Sequence, residues 1–221
     1  MTAILNLFEV IKMNDFTFEK GNIKTALETY EWDNVWIEHA CDTEHERVLY
    51  VGDSISCGTR RIATERSGEK IYFDGFGTSK ALDNPYFIPA LDLFVSQLPK
   101  CPEVIIFNNG LHGWHLDDTT DYGVYYDKFL CHLTEKYKKS RIYVLLTTAI
   151  IDEVKNPRVK ARNKVATELA GKYSLPVIDL YSLVNENTEL IWEDGVHPTT
   201  ELYGMIADKI IGEIKNNISV C

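Results

Sequence analysis

Three short stretches of this sequence carry residue types suited to chemistry at a carbonyl group. The first is RVLYVGDSISCG, residues 47–58, in which Ser54 follows a short apolar run. A serine between a strand and a helix presents its hydroxyl at the carboxyl end of the strand. Its own N–H lies at the positive end of the helix dipole. Both features suit a nucleophile that must hold an oxyanion after attack. The competing reading is that Asp53 and Ser54 merely cap the helix. The second stretch is WEDGVHP, residues 192–198. An aspartate three residues before a histidine can fold back and accept a bond from Nδ1–H, which leaves Nε2 to take a proton from a serine. Asp194 and His197 stand at that spacing. The competing reading is a plain loop, with Pro198 in a first helical turn and Asp194 as a turn former. The third stretch is FNNGLHGWH, residues 107–115. There His112 is placed to donate to a developing oxyanion, or else to pack under Trp114, with Asn108 and Asn109 as turn residues.

These side chains can cooperate only if the chain folds positions 54 and 197 together. A serine–imidazole separation beyond about 6 Å would rule the arrangement out. From Arg47 onward, apolar β-rich runs alternate with helical spacing. The pattern predicts strands over 47–52, 70–73, 103–107, 141–147 and 176–180. It predicts helices over 54–64, 85–98, 122–139, 158–173 and 199–216, with a loop at Gly75-Phe76-Gly77. Strands separated by helices imply a parallel sheet covered on both faces. Ligands in such sheets bind outside the carboxyl ends of the strands, the edge where Ser54 and the 74–80, 108–115 and 147–157 loops fall. Residues 1–46 do not follow the alternation. They read as an N-terminal extension, part strand, whose aromatics pack on a single domain of residues 47–221. For Trp32, Trp36 and His39 a covering role is the expected one.

Composition narrows the classes. With 221 residues, 45% hydrophobic and 25% charged, the chain is an ordinary globular domain. Its net charge of −10 repels nucleic acid and anionic membranes. The five cysteines are odd in number and scattered, without a C-x-x-C pair, which fits reduced thiols in a cytoplasmic protein. Cys57, one turn after Ser54, is expected to pack. The six histidines include no H-x-x-x-H pair on an expected helix, which argues against a metallohydrolase. GDSISCG matches neither Gly-rich phosphate loop. The N-terminal stretch 1–16 lacks the features of a signal peptide, and no run approaches the length of a membrane span. Asn217-Ile218-Ser219 matches a glycosylation acceptor, which means little without secretion.

GDSIS at 52–56, the FNNGLHGW loop and DGVHP at 194–198, taken together and in this order, resemble the SGNH (GDSL-type) hydrolases over residues 47–216. The resemblance implies an α/β fold, a flavodoxin-like three-layer α/β/α sandwich with a five-stranded parallel sheet. It implies cofactor-free, metal-independent ester hydrolysis, with Ser54 as nucleophile, His197 as base and Asp194 orienting the base. Two departures stand out. The family's third block is usually Gly-x-Asn-Asp, with the asparagine in the oxyanion hole; here Gly110-Leu111-His112-Gly113 puts His112 at that position. The second block usually offers a glycine N–H; in DGFGTSK, Ser79 fits the spacing best and Gly77 is the alternative.

The expected partner is therefore a small-molecule ester. Trp114, His115 and Trp36 are candidates to line a site for a small acyl group on a sugar. Arg158 is either a substrate-anion ligand or a solvated helix-start residue. A lysophospholipase- or thioesterase-like acyl hydrolase and an inactive binding module are the alternatives. Oligomeric state is not legible from the sequence.

Overall fold

The computed structural model describes residues 18–19, 27–116 and 119–218. The expectations for residues 1–16, most of the polar stretch 17–24, Cys221 and Ser219 of the glycosylation match lie outside them. The strands are β1 (Phe18–Glu19), β2 (Leu27–Glu28), β3 (Asp33–Trp36), β4 (Glu46–Gly52), β5 (Ile71–Thr78), β6 (Val104–Phe107), β7 (Arg141–Leu145) and β8 (Val177–Ile178). The helices are α1 (Ser54–Arg66), α2 (Phe87–Val95), α3 (Thr119–Lys136), α4 (Asn156–Lys172), α5 (Leu180–Asn185) and α6 (Thr200–Ile218).

β1 and β2 form a small antiparallel pair, and the other six strands form one sheet in the order β3-β5-β4-β6-β7-β8. Five of these are parallel, as expected; the sixth, β3, is antiparallel to β5 and comes from the expected extension. The parallel strands start at β4, step outward to β5, then cross back to β6. β4 therefore stands at the topological switch point, where α/β sheets open a crevice at their carboxyl ends. Ser54 follows β4 directly.

Alternation along each strand builds two cores. Val48, Tyr50, Ile71, Phe73, Val104, Ile106, Tyr143 and Leu145 face α1 and α6. Leu49, Val51, Phe76, Ile105, Phe107, Ile142 and Val144 face α2, α3 and the later turns of α4. The result is the three-layer sandwich.

β5 corrects the sequence reading. It runs through Asp74-Gly75-Phe76-Gly77-Thr78, where a loop was expected. The glycines mark close approach, not a turn. A Cβ at Gly75 would lie 2.4 Å from Arg60 Cδ, and one at Gly77 would lie 2.3 Å from Cys57 Sγ. Arg60 crosses Gly75 to bond the carbonyl (3.1 Å) and Oδ1 (2.6 Å) of Asn34, which ties the edge strand to α1. At the other end of the sheet the expected strand 176–180 shortens to two residues, because Asp179 caps α5 by accepting the Ser182 N–H.

The buried polar centre of the fold is Arg47. Its Nη1 bonds both carboxylate oxygens of Asp74 at 2.8 and 3.0 Å. Its Nη2 donates to the carbonyls of Glu38, His39 and Asp42, each at 2.9 Å. Both side chains of the pair are 0% exposed. One guanidinium thus joins β4, β5 and the turn that follows β3. Removing its anion leaves a buried charge unbalanced, which typically costs about 3–5 kcal/mol. Asp74→Ala should lower the unfolding free energy by about that amount, read from urea midpoints.

Candidate active site

Ser54 is the first residue of α1, and its neighbour Asp53 caps the helix by accepting the Ile55 N–H at 2.9 Å. The aspartate alone is the cap, and the Ser54 hydroxyl takes no part in it. At the first helical position the Ser54 N–H has no acceptor within the helix. Burial pushes the Asp53 carboxyl up, with His112, the Ile55 N–H and His197 acting in the opposite direction.

The loop 191–198 brings Asp194 and His197 to Ser54. An isolated bridge pairs Ile191 with Pro198, and the Trp192 N–H donates to the His197 carbonyl at 2.8 Å. Gly195 turns the chain at φ +74°, a conformation that favours glycine. Its carbonyl accepts from Ile151 N–H at 2.8 Å, which pins the loop to the segment after β7. Asp194 Oδ1 accepts the N–H groups of Val196 and His197, both at 2.9 Å, and Oδ2 lies 2.7 Å from His197 Nδ1. Burial works to raise the Asp194 carboxyl, but those two N–H groups and the His197 ring outweigh it and hold it below the ordinary range. It is therefore ionised wherever an imidazole can act as a base. His197 Nε2 lies 2.8 Å from Ser54 Oγ, across 143 residues of chain. The relay is open to solvent: the His197 side chain is 40% exposed and that of Asp194 51%.

His112 sits in the loop after β6. Arg162 organises this loop from α4, donating to the carbonyls of Gly110 (3.2 Å), His112 (2.7 Å), Gly113 (2.7 Å) and Leu116 (3.4 Å). Burial lowers the Arg162 pKa to about 10, so it remains charged near neutrality. Trp114 is buried, with Arg158 over its ring at 4.5 Å and Arg162 at 4.6 Å. Arg158 also donates to the Trp114 carbonyl at 2.7 Å. The expectation that Trp114 lines a substrate site is thus corrected: its ring is a packing element beneath the loop. Arg158 supports the same loop instead of lying idle at a helix start. His112 Nδ1 lies 2.8 Å from Glu28 Oε1.

The second expected oxyanion donor is also corrected. The Ser79 N–H donates to the Trp32 carbonyl at 3.1 Å, and its Oγ accepts from Trp32 N–H at 2.9 Å and donates to Glu31 Oε2 at 2.8 Å. Ser79 fastens the segment before β3 and has no N–H left for a ligand. Gly77 lies between β3 and β4, paired with Asn34 and Gly52, and gives the space that Cys57 fills. Trp36 lines a groove of about 400 Å³ with Val35, Phe76, Leu93 and Phe94, on the α2 side of the sheet and apart from the Ser54 relay. His115 pairs with Asp83 at 2.8 Å. Trp32 meets His112 edge-on at 5.9 Å.

Two residues escaped the sequence reading. Glu28 is distant in sequence and carries no motif. Arg162 had a signal: it shares the buried stripe of Val159, Asn163, Ala166 and Ala170, where an arginine is out of place unless it holds something.

No protein-family model matches the sequence, and no curated protein matches it. Solved structures do. A lipase/acylhydrolase from Enterococcus faecalis is 17% identical at a TM-score of 0.65, over 78% of this chain and 96% of that one. An acetylxylan esterase from Geobacillus stearothermophilus is 13% identical at 0.60, over 79% and 96%. A member of the lipolytic G-D-S-L family from Veillonella parvula is 19% identical at 0.58, over 76% and 97%. The chain has the fold of the SGNH/GDSL-type hydrolases.

The Ser54–His197 approach rests on how closely α1 packs on α6. A Cβ at Gly58 would lie 2.3 Å from Tyr203 Cζ. Gly58→Ala should therefore push the two helices or the Tyr203 ring apart and lower stability by about 1–3 kcal/mol, measured by thermal or urea unfolding.

Proposed function

We propose that this protein is a serine esterase that hydrolyses carboxylic esters carrying a small acyl group, with an acetylated sugar as the favoured substrate class. One observation carries the reading: Asp194, His197 and Ser54 form a continuous relay of 2.7 and 2.8 Å at the switch point of the sheet. Ser54 Oγ attacks the ester carbonyl while His197 Nε2 takes its proton. Asp194 holds the ring tautomer through Nδ1–H. The Ser54 N–H and the His112 ring stabilise the oxyanion, each such donor contributing about 3–4 kcal/mol to barrier lowering. The imidazolium then protonates the leaving alcohol, and water, activated by the same base, releases the acyl group from Ser54.

The sugar preference is supported by the structural neighbours, among which are acetylxylan esterases. The open relay also suits an ester carried on a large alcohol. A second reading, a longer acyl chain as in a lysophospholipase or thioesterase, is favoured by exposed apolar residues bonded into the 191–198 loop, Ile151 and Trp192. Comparing acetyl with octanoyl p-nitrophenyl esters separates the two; a higher kcat/KM for octanoyl overturns the small-acyl preference.

Ser54→Ala should abolish turnover of p-nitrophenyl acetate, a loss of about 10⁵-fold or more in kcat, and remove the mass increment that a fluorophosphonate adds to the wild type. A wild type that takes no label is a binding module, not an esterase. Asp194→Asn should lower kcat by about 10²–10⁴-fold. The smaller end is expected because the carboxylate is half exposed and its charge is screened.

A further inference from the structure

We propose that Glu28 is a positioning residue for the oxyanion site: carried in by β2, it holds the His112 ring in place and keeps it a charged donor. The inference rests on the esterase reading, with His112 at the oxyanion. Its observations are geometric. Glu28 Oε1 lies 2.8 Å from His112 Nδ1, and the two side chains are 9% and 8% exposed, so the pair is shielded from solvent. The contact spans 84 residues.

Glu28 is held there deliberately. Its strand pairs with β1, Glu28 opposite Phe18. Its N–H donates to Glu31 Oε1 at 3.2 Å, and Glu31 is in turn bound by Ser79 Oγ. Trp32, the next residue, is fixed to Ser79 through both its N–H and its carbonyl. The position expected to offer an oxyanion N–H thus anchors the segment that delivers a carboxylate to the other oxyanion candidate.

The charges around His112 come from four elements. Glu28 on β2, Glu31 beyond it and Asp53 at the start of α1 all favour the charged ring, and Arg162 on α4 binds the His112 carbonyl. Burial disfavours the imidazolium, but the bond to Glu28 and the charges of Glu28, Asp53 and Glu31 outweigh it, and the ring titrates above its ordinary value. With Nδ1–H committed to Glu28 and the ring protonated, Nε2 carries a proton as well and acts as a donor. An imidazolium donor is roughly twice as strong as a neutral one. The sign follows. The protonated form of His112 is the active one, so kcat falls as pH rises through its raised value.

The test is the pH profile of kcat for p-nitrophenyl acetate in the full chain, with Glu28→Gln, Glu28→Ala and His112→Ala. Glu28→Gln keeps an acceptor for Nδ1–H and removes the charge. It should move the falling alkaline limb down by about 1–3 pH units and lower kcat at pH 8 about tenfold, with KM unchanged within about twofold. The ring nitrogens of His112, followed by ¹⁵N NMR, should titrate at correspondingly lower pH, and the melting temperature at pH 6 reports folding. Glu28→Ala should add a loss at every pH, since the ring is then unheld. A Glu28→Gln profile identical to wild type, or a uniform loss with no shift of limb or ring titration, overturns the proposal while esterase activity stands. A His112→Ala variant with wild-type kcat overturns the oxyanion role of His112 and the proposal with it. Absence of fluorophosphonate labelling at Ser54 is the separate outcome that fails the esterase reading itself.

Discussion

The site depends on the close packing of two helices through a residue with no side chain. α1 begins with Ser54, and α6 begins three residues after His197. One turn into each, Gly58 meets the Tyr203 ring at a separation that a Cβ would not survive. That contact sets how far apart the serine and the imidazole can be. The strand side is equally constrained, because β4 is laddered to β5 over its whole length and to β6 over Val48–Val51, so Ser54 cannot slide along the sheet. Neither constraint lies in the loops. The loops add orientation: Gly195 turns the chain, and Asp194 folds back on His197.

Magnitudes decide which role Asp194 plays. A carboxylate half exposed to water is screened, and exposed ion pairs contribute about 1 kcal/mol or less. Its electrostatic effect on His197 is therefore small beside its geometric effect, which is to hold the ring through Nδ1. At His112 the balance reverses. The pair with Glu28 is nearly solvent-free, so charge matters there more than orientation. Beneath it, Arg162 supplies charged hydrogen bonds to four carbonyls of the 110–116 loop, a backbone segment that would otherwise leave several acceptors buried.

The alternation of the five parallel strands with the helices α1, α2, α3, α4 and α6, and the turn at Asp194–His197, were legible because each is local, whereas the short α5 was not foreseen. The Asp-x-x-His turn makes the point, since the chain contains it twice. At Asp42–His45, Asp42 Oδ1 accepts the N–H groups of Glu44 and His45 at 2.9 and 3.0 Å, and Oδ2 lies 2.8 Å from His45 Nδ1. This is the arrangement of Asp194–His197, but His45 lies tilted against Tyr72, and no hydrogen bond joins it to a serine among the described residues. Spacing encodes the turn; only the fold supplies the hydroxyl. What was not legible is tertiary in the same sense. Gly75 and Gly77 read as a loop because their reason lies in α1, in Arg60 and Cys57. Ser79 read as an oxyanion donor because its engagement with Trp32 is not written in its own neighbourhood. Trp114 read as a ligand surface because the two arginines that cover it come from α4.

The antiparallel edge strand β3 and the segment before it also set a timetable. Glu28 and β3 leave the ribosome before β5, their partner in the sheet, and long before His112 and His197. At roughly 5–20 residues per second, the wait from Glu28 to His197 is on the order of ten seconds or more. Until β5 emerges, β3 lacks its sheet partner and its polar backbone must stay hydrated or be shielded, while β2 already has β1 to pair with. His197 emerges long after Ser54, so the contact between them cannot form until most of the chain has been made.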